Sequence, residues 1–306
     1  MGHTVVDLDR DRGFMLPDML IGIALPGHVR SLKPEDIPDW ARAVEDAGFD
    51  TFAVSDRAAW STPEPLTTLA AAAAVTHRVG LFSSVVLAPL RGHPGLFASS
   101  AATVDALAGP GRLRLGLAPG GRPSDYVGSP VAFGERGKIF DSWLRDVRAT
   151  WAGAGLGPVP VTAGGPPLLF GGGSAQTIRR VVAHGVGWVA GGMTPEEFMT
   201  FAQRLRTAFT AAGRSGTPRL VVSVMVSLGP ERADTGIAAV RDYYADLGQD
   251  FVAKAIAHTV TSAGQLRAAI ADYRLAGADE VILTPNDLDP DHVGILRACL
   301  ADEPGR

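Results

Sequence analysis

Residues 51–86 read TFAVSDRAAWSTPEPLTTLAAAAAVTHRVGLFSSVV, and the fold prediction starts from the pattern in this stretch. It begins with a short apolar run at 51–55, continues through an alanine-rich segment at 65–76, and ends in a second apolar run at 79–86. Short apolar runs rich in Val and Phe predict buried strands, whereas the alanine-rich segment has the length and composition of a helix. Because parallel strands need a long crossover connection, the stretch predicts a right-handed β–α–β unit.

The same alternation of strand and helix extends in both directions from this stretch. The predicted strands are 19–25, 51–55, 79–86, 112–118, 168–171, 187–190, 220–227 and 280–284. The predicted helices that follow them are 35–47, 65–76, 94–108, 135–152, 175–184, 195–212, 262–276 and 290–300. Eight such units are the number that closes a barrel, so we predict an α/β fold of the (β/α)8 TIM barrel type.

A doubly wound open sheet of about six strands is the competing architecture. That fold would carry a Gly-x-Gly-x-x-Gly turn after the first strand, whereas this chain has LPGH at 25–28. The length of the chain does not distinguish two domains from one barrel. A chain of 306 residues suits two average domains, but single α/β barrels also reach about 250 residues or more. We predict an N-terminal extension at 1–18 and a single barrel domain at 19–306.

Two segments are longer than a minimal barrel needs. Residues 119–134 follow the fourth predicted strand, and residues 230–261 follow the seventh and contain a helical pattern at 234–247. Both leave the carboxyl ends of strands, where the loops of this architecture build the active site. We therefore expect these insertions to form substrate walls or lids.

Composition excludes several classes of function. Hydrophobic residues make up 46% of the chain and the net charge is −4, so we expect a globular protein with no basic surplus for nucleic acid. Charged residues at 7–12 interrupt any signal-peptide core, and the apolar run at 66–75 is too short for a membrane span. We expect a cytoplasmic protein with no membrane partner. The histidines show no metal-ligand spacing and Cys299 is the single cysteine, so we expect no metal site.

A glycine-rich turn, GGGS at 171–174, opens the predicted helix at 175–184. Such a turn lets backbone N–H groups face an anion, and the helix N-terminus adds a positive dipole. The sequence therefore predicts a phosphate site formed by Gly172, Gly173, Ser174 and Thr177. An ordinary N-cap, in which Ser174 caps the helix without any ligand, explains the same residues equally well.

Two further groups lie at the carboxyl ends of strands. Gly116, Gly120 and Arg122 belong to a glycine-rich loop after the fourth strand, for which a plain turn with a solvated arginine is the alternative. The serines at 83–84 interrupt an apolar strand just before Val85. Polar residues there indicate either backbone exposed to a ligand or a pair of satisfied core hydroxyls.

Three residues that follow the first two strands are candidate catalytic groups. Asp56 and Arg57 could orient and bind an anion, or they could form an exposed ion pair at the rim, which is the favoured alternative on these residues alone. His28 either points into a pocket or lies solvent-exposed in a turn, and the turn is favoured.

Several segments resemble one known family when they are taken in order. They are AVEDAGFD at 43–50, the runs 69–85 and 113–121, PPLLFGG at 166–172, HGVGW at 184–188 and YRLAGADEV at 273–281. In their order and spacing they resemble the bacterial luciferase-like family of flavin- and deazaflavin-dependent oxidoreductases, over nearly the whole chain after residue 18. The resemblance implies reduced flavin at the carboxyl face of the barrel.

The resemblance also assigns parts of the site. It implies a non-proline cis peptide at Ser84-Val85 that supports the isoalloxazine ring, and it matches Ser174 to Thr177 with the family's flavin phosphate segment. Three positions depart from the family. Arg57 replaces a histidine, the loop arginine that binds phosphate is replaced by Pro119 with Arg122 three residues later, and Val186 replaces an aspartate.

The resemblance implies an oxidoreductase, and we expect a monooxygenase that uses reduced FMN and O₂ on a small organic substrate. A flavin reductase is an expected partner, and we expect a homo-oligomer. A deazaflavin coenzyme with hydride transfer is one alternative, and a barrel that only binds a ligand is another, prompted by Arg57 and Val186. We further expect Arg57 to serve the site and not stability, since an exposed pair with Asp56 would contribute at most about 1 kcal/mol.

Overall fold

The computed structural model describes residues 19–154 and 157–301. The extension predicted at 1–18 lies outside the described residues. The eight parallel strands are β1 (Leu20–Ala24), β2 (Thr51–Val54), β3 (Gly80–Leu87), β4 (Leu113–Ala118), β5 (Leu168–Gly171), β6 (Gly187–Gly191), β7 (Arg219–Val226) and β8 (Glu280–Pro285). They pair in chain order and β8 pairs with β1, so the barrel is closed. The (β/α)8 prediction is confirmed and the open sheet is wrong.

Each strand boundary lies within one residue of its predicted position. The helices are α1 (Ile37–Asp46), α2 (Pro65–Ala73), α3 (Pro94–Ala108), α4 (Arg136–Ala149), α5 (Ala175–His184), α6 (Pro195–Ala211), α7 (Pro230–Tyr243), α8 (Gln249–Ala257), α9 (Ala263–Leu275) and α10 (Asp291–Ala301). Among the residues that the structure covers, no helix is both long and apolar enough to cross a membrane.

The two insertions have structure of their own. The loop after β4 contains short 3₁₀ turns at Pro123–Tyr126 and Phe133–Glu135. The segment after β7 forms two helices, α7 and α8, where the sequence predicts one helix at 234–247. The predicted pattern at 234–247 corresponds to α7 and the 3₁₀ turn Ala245–Leu247, which ends at Gly248 with a φ of 88°. Helix α8 follows this glycine and is not predicted from the sequence.

The barrel interior is filled in layers. An ion cluster closes its amino end: the buried carboxylate of Glu280 accepts hydrogen bonds from Arg114 (2.6 and 2.8 Å), Arg219 (2.9 Å) and Thr51 (2.6 Å). Burial favours a higher pKa for Glu280, but Arg114, with Arg219 and Thr51, lowers this pKa to about 2. An apolar layer lies next along the barrel and consists of Ala24, Ala53, Phe82, Leu169, Val189, Val221 and Ile282. Within the barrel formed by the described residues, the open space that lies above this apolar layer faces the carboxyl ends of the strands.

Candidate active site

A cavity of about 210 Å³ lies at the carboxyl ends of the strands. We call it the main cavity. It rests on the apolar layer, with which it shares Ala24 and Val189. Its lining residues are Ala24, His28, Val54, Ser55, Ser84, Val85, Gly171, Gly172, Val189, Ala190, Gly191, Ser223, Met225, Tyr243, Tyr244 and Thr284. Apolar walls with a few polar groups are typical of small-molecule sites.

One wall of the main cavity is the end of β3. The Ser84–Val85 peptide is cis, as the resemblance implies, and the pairing of β3 with β4 shifts register at this point. A Cβ at Gly116 would lie 2.3 Å from the Ser83 carbonyl oxygen and 3.0 Å from Val85, and one at Gly171 would lie 3.2 Å from Val85. Both glycines therefore leave space for the Val85 side chain. Gly171 lines the main cavity, whereas Gly116 packs against Val85 without lining the cavity.

His28 lies inside the main cavity and is only 3% exposed, so the solvent-exposed turn is wrong. Its Nε2 lies 2.8 Å from Asn286 Oδ1, while the Asn286 amide donates to Ser227 Oγ at 2.9 Å. Since Oδ1 can only accept, Nε2 carries the proton and Nδ1 keeps its lone pair. Burial lowers the pKa of His28 to about 4, against the raising effect of Asn286. His28 is therefore neutral near pH 7 and can accept a hydrogen bond or a proton.

Arg57 and Asp56 do not form the exposed ion pair that the sequence favours. Arg57 is 6% exposed, and its Nε donates to Asp125 Oδ1 at 2.9 Å. Asp56 instead accepts from the Leu87 N–H at 2.8 Å and pairs with Arg91. The predicted rim pair is wrong because Arg57 pairs with Asp125 and Asp56 pairs with Arg91. Neither Asp56 nor Arg57 lines the main cavity.

Asp246, in the turn after α7, links three loops. It accepts hydrogen bonds from Arg57 (3.3 Å), Arg122 (2.6 Å) and Ser124 (2.7 Å). Burial favours a higher pKa for Asp246, but Ser124 and the two arginines bring this pKa below its usual value. We call these residues, together with Asp125, the Asp246 clasp. It fastens the insertion after β7 to the loops after β2 and β4.

The Asp246 clasp determines the contacts of Arg122 and of the loop after β4. Nη1 of the Arg122 guanidinium donates to Asp246 Oδ1 (2.6 Å) and to the Tyr243 carbonyl oxygen (2.8 Å), so the solvated arginine is wrong, and phosphate binding by Arg122 stays a prediction. Gly120 has a φ of 75°, and its carbonyl oxygen accepts from Arg136 at 2.9 Å. This loop therefore positions the insertion.

The glycine-rich turn reaches the edge of the main cavity at Gly172, whose φ is 107°. Ser174 caps α5 by accepting from the Thr177 N–H at 3.3 Å, and Thr177 Oγ1 donates to the Gly171 carbonyl oxygen at 3.3 Å. Trp188 Nε1 holds the turn by donating to the Gly172 carbonyl oxygen at 2.7 Å. The capping interpretation thus describes the contacts, and phosphate binding by Gly172, Gly173, Ser174 and Thr177 stays a prediction.

Sequence reasoning missed several lining residues. Ser223 and Thr284 are polar residues on β7 and β8, near their carboxyl ends, so the rule that selects Ser84 also selects them. Tyr243 and Tyr244 come from the insertion, which the sequence predicts only as a lid. Asn286 contacts His28 across 258 positions of sequence, and no local signal predicts that pair.

The donor set suits a flavin-type cofactor. A flat heteroaromatic ring needs an apolar wall, which Val85 provides, and a phosphate tail needs N–H donors, which the start of α5 beside Gly172 offers. The described residues hold no group of three or more His, Cys, Asp or Glu side chains arranged for a metal ion.

Comparison with known proteins identifies chains that are similar in sequence or in fold. The sequence profile described as luciferase-like monooxygenase matches residues 19–280. An F420-dependent glucose-6-phosphate dehydrogenase of Beutenbergia cavernae is 39% identical over 142 residues, which cover 44% of this chain and 42% of that protein. The chain therefore matches less than half the length of this relative. An uncharacterized protein of Mycobacterium tuberculosis is 29% identical over 209 residues, covering 57% of this chain and 72% of that protein.

Solved structures share the fold at low sequence identity. The monooxygenase RslO1 from Streptomyces bottropensis superposes with a TM-score of 0.80 at 22% identity, over 94% of this chain and 98% of that one. An F420-dependent secondary alcohol dehydrogenase bound to an F420-acetone adduct gives 0.72 at 16% identity, over 92% and 98% of the two chains. The FMN-bound oxygenating constituent of 3,6-diketocamphane monooxygenase from Pseudomonas putida superposes with a TM-score of 0.72 at 16% identity. The match covers 93% of this chain and 97% of that one. At these identities the likeness concerns the fold alone.

Proposed function

Because this chain belongs to the luciferase-like monooxygenase family, we propose that it uses reduced FMN and O₂ to oxygenate a small organic substrate. The family is one of flavin- and deazaflavin-dependent oxidoreductases. One observation carries the proposal: Val85, His28 and Gly172, which lies in the turn before α5, border the same cavity. An apolar wall suits a flat ring, a neutral histidine can accept a proton, and a turn before a helix suits a phosphate.

The cofactor supplies the redox chemistry when it is bound, and the residues of the chain position it. Val85, for which Gly116 and Gly171 leave space, would support one face of the ring. Gly172 and Gly173, with Ser174 and Thr177, hold the phosphate at the start of α5. Tyr243 and Tyr244 cover the cavity from the insertion and exclude water.

His28 is the proposed catalytic residue. Its Nδ1 accepts a hydrogen bond or a proton from the substrate, while Asn286 fixes the ring through Nε2. Asp56 pairs with Arg91, and Arg57 donates to Asp125, so in this proposal their charges are balanced within the chain and their catalytic roles stay predictions. In the proposal Arg57 is a positioning residue that holds the lid through Asp246.

A deazaflavin coenzyme is the second candidate, and one observation favours it. The relative from Beutenbergia cavernae that is 39% identical over the matched segment is named an F420-dependent dehydrogenase. In this alternative the same cavity holds the deazaflavin ring, and His28 accepts the proton of an alcohol substrate. Hydride transfer then replaces oxygenation.

Titration of the purified chain with FMN and with the deazaflavin, each oxidised and reduced, tests these proposals. We expect reduced FMN to bind at one equivalent per chain, and turnover to require O₂ and an added flavin reductase. Preference for the deazaflavin, with turnover under anaerobic conditions, would support the second candidate. If neither cofactor binds, the chain is a ligand-binding barrel and both proposals fail. Light scattering on the same sample measures whether the chain forms the proposed homo-oligomer.

A further inference from the structure

A second cavity, of about 90 Å³, adjoins the main cavity. We call it the side cavity. The two share Gly191, Ser223, Met225, Tyr244 and Thr284, so a molecule in the main cavity can extend into the side cavity. Helix α8 of the insertion forms its outer wall. The side cavity is therefore placed to receive the part of a substrate that points away from the reacting atoms.

The walls of the side cavity are mostly apolar. Met193, Val224, Met225, Phe251 and Ala255 contribute hydrocarbon or thioether surface. Such surface gains free energy by burying an apolar group and offers no compensation to a buried charge.

The cationic residue in this wall is already paired. Lys254 Nζ lies 2.8 and 3.0 Å from the two carboxylate oxygens of Glu197. Glu197 is itself fixed by the capping box with Thr194 at the start of α6. An anion that enters the side cavity would have to compete with this carboxylate for Lys254.

His258 and Tyr273, two further polar residues of the side cavity, also make hydrogen bonds within the chain. His258 Nδ1 lies 2.7 Å from the Lys254 carbonyl oxygen, which can only accept, so Nδ1 carries the proton. The Tyr273 hydroxyl donates to the Met193 carbonyl oxygen at 2.5 Å. Their hydrogen-bonding capacity is therefore partly used within the chain.

We infer that the side cavity binds an uncharged apolar group of the substrate, a short alkyl chain or a small ring, in preference to an anionic group. The inference rests on the proposed function, since it names the substrate class of the same site.

Binding of primary alkan-1-ols from ethanol to hexan-1-ol, followed by ligand-observed NMR, tests the inference with glucose 6-phosphate as the anionic probe. Each added methylene buried in the side cavity should tighten binding about fourfold until the cavity is full. Glucose 6-phosphate should bind more weakly than hexan-1-ol. Affinity that does not change with chain length, or tighter binding of glucose 6-phosphate, would overturn the inference.

A matched pair of variants on α8 locates the binding. Ala255 lines the side cavity, whereas Ala253 on the same helix is exposed. Ala255→Phe fills the space, so hexan-1-ol should bind about tenfold more weakly, while Ala253→Phe should leave its affinity unchanged. Equal affinities in the two variants would refute the assignment.

FMN and the deazaflavin are titrated against the same variants to separate the two proposals. If no cofactor binds but the alcohols follow chain length and Ala255→Phe weakens them, the proposed function fails and the side cavity assignment stands. If a cofactor binds but the alcohols show no such dependence, the substrate class is wrong and the proposed function stands.

Discussion

His28 acquires its chemistry from its surroundings. An isolated histidine has a pKa near 6.5, whereas burial among Tyr243 and the cavity residues lowers the pKa of His28 to about 4. The folded chain keeps this ring neutral where an unfolded chain would protonate it. Asn286 then determines which ring nitrogen lacks a proton. Its Oδ1 accepts a hydrogen bond from the protonated Nε2, so Nδ1 keeps its lone pair.

Acid should therefore destabilise the fold through His28. The stabilising contribution of the neutral ring is fully present above pH 6.5 and is lost as the pH falls through about 4, because the unfolded chain binds the proton first. We expect a loss of about 3 kcal/mol across this window. Urea unfolding of wild type and His28→Gln at pH 7, 5 and 4 measures it. If both proteins lose the same stability between pH 6.5 and 4, the buried-histidine account is wrong.

Ser174 is the residue at which phosphate binding and helix capping can be separated. Ser174→Ala removes a hydroxyl from the proposed phosphate site, and a hydrogen bond to a charged group contributes about 1.5–3 kcal/mol, so cofactor affinity should fall about tenfold or more. Ser262→Ala is the control, because Ser262 caps α9 in the same way and lines neither cavity. Both variants should lose about 1 kcal/mol of stability. Equal cofactor affinity in the two would leave capping as the whole role of Ser174.

Glu280 provides a stability test that is independent of the active site. Glu280→Gln leaves the Arg114 and Arg219 charges without their carboxylate, so we expect a loss of about 3–5 kcal/mol in the free energy of unfolding. The pKa of Glu280, near 2, means that acid removes the same stabilisation as the pH falls from about 4.5 through 2. Chemical denaturation at pH 7 measures the variant, with exposed Glu35→Gln as control. A change below about 1 kcal/mol would show that the cluster contributes little.

The elements of the barrel were predictable because their sequences carry strong, local signals. Each strand is a run of apolar residues buried between the barrel interior and the helices, and proline at the first positions of α2, α3 and α6 indicates where those helices begin. The insertion after β7 was predicted less well. Its helical pattern continues past the end of α7, and the break at Gly248 depends on a backbone conformation that composition indicates only weakly.

The Asp246 clasp joins elements that lie far apart in sequence. Because Arg57 belongs to it, we expect Arg57→Ala to lower the stability of the fold, whereas the sequence predicts no change. Because Arg57 and Asp125 are 6% and 2% exposed, Arg57→Ala leaves a buried carboxylate unpaired. We expect the free energy of unfolding to fall by about 3–5 kcal/mol, in place of the unchanged stability predicted for an exposed pair. Thermal and urea denaturation measure this.

Arg30→Ala is the matched control for the clasp. Arg30 pairs with Asp242 on α7, but both side chains are about half exposed, so solvent screens the pair and it should contribute little to stability. If Arg57→Ala costs no more than Arg30→Ala, the clasp does not hold the lid and the site role expected from the sequence regains support.

Across the chain as a whole, the layers of the barrel separate stability from function. The Glu280 cluster closes the amino end, the apolar layer fills the middle, and the main cavity lies beneath the insertion at the carboxyl end. Sequence order was sufficient to predict the barrel and to place the candidate residues at this end. It could not predict which of these residues line the main cavity. The hydrogen-bond partners of Asp56, Arg57 and Arg122 lie 31 to 189 positions away in the sequence, where no local pattern indicates them.

A crystal structure of the chain soaked with FMN tests the proposed flavin site. We expect the isoalloxazine ring against Val85, the FMN phosphate within hydrogen-bonding distance of Gly173 or Ser174, and His28 facing the remaining space of the main cavity. A ring placed outside the main cavity, or a phosphate bound at the Asp246 clasp instead of the start of α5, would refute the proposed site.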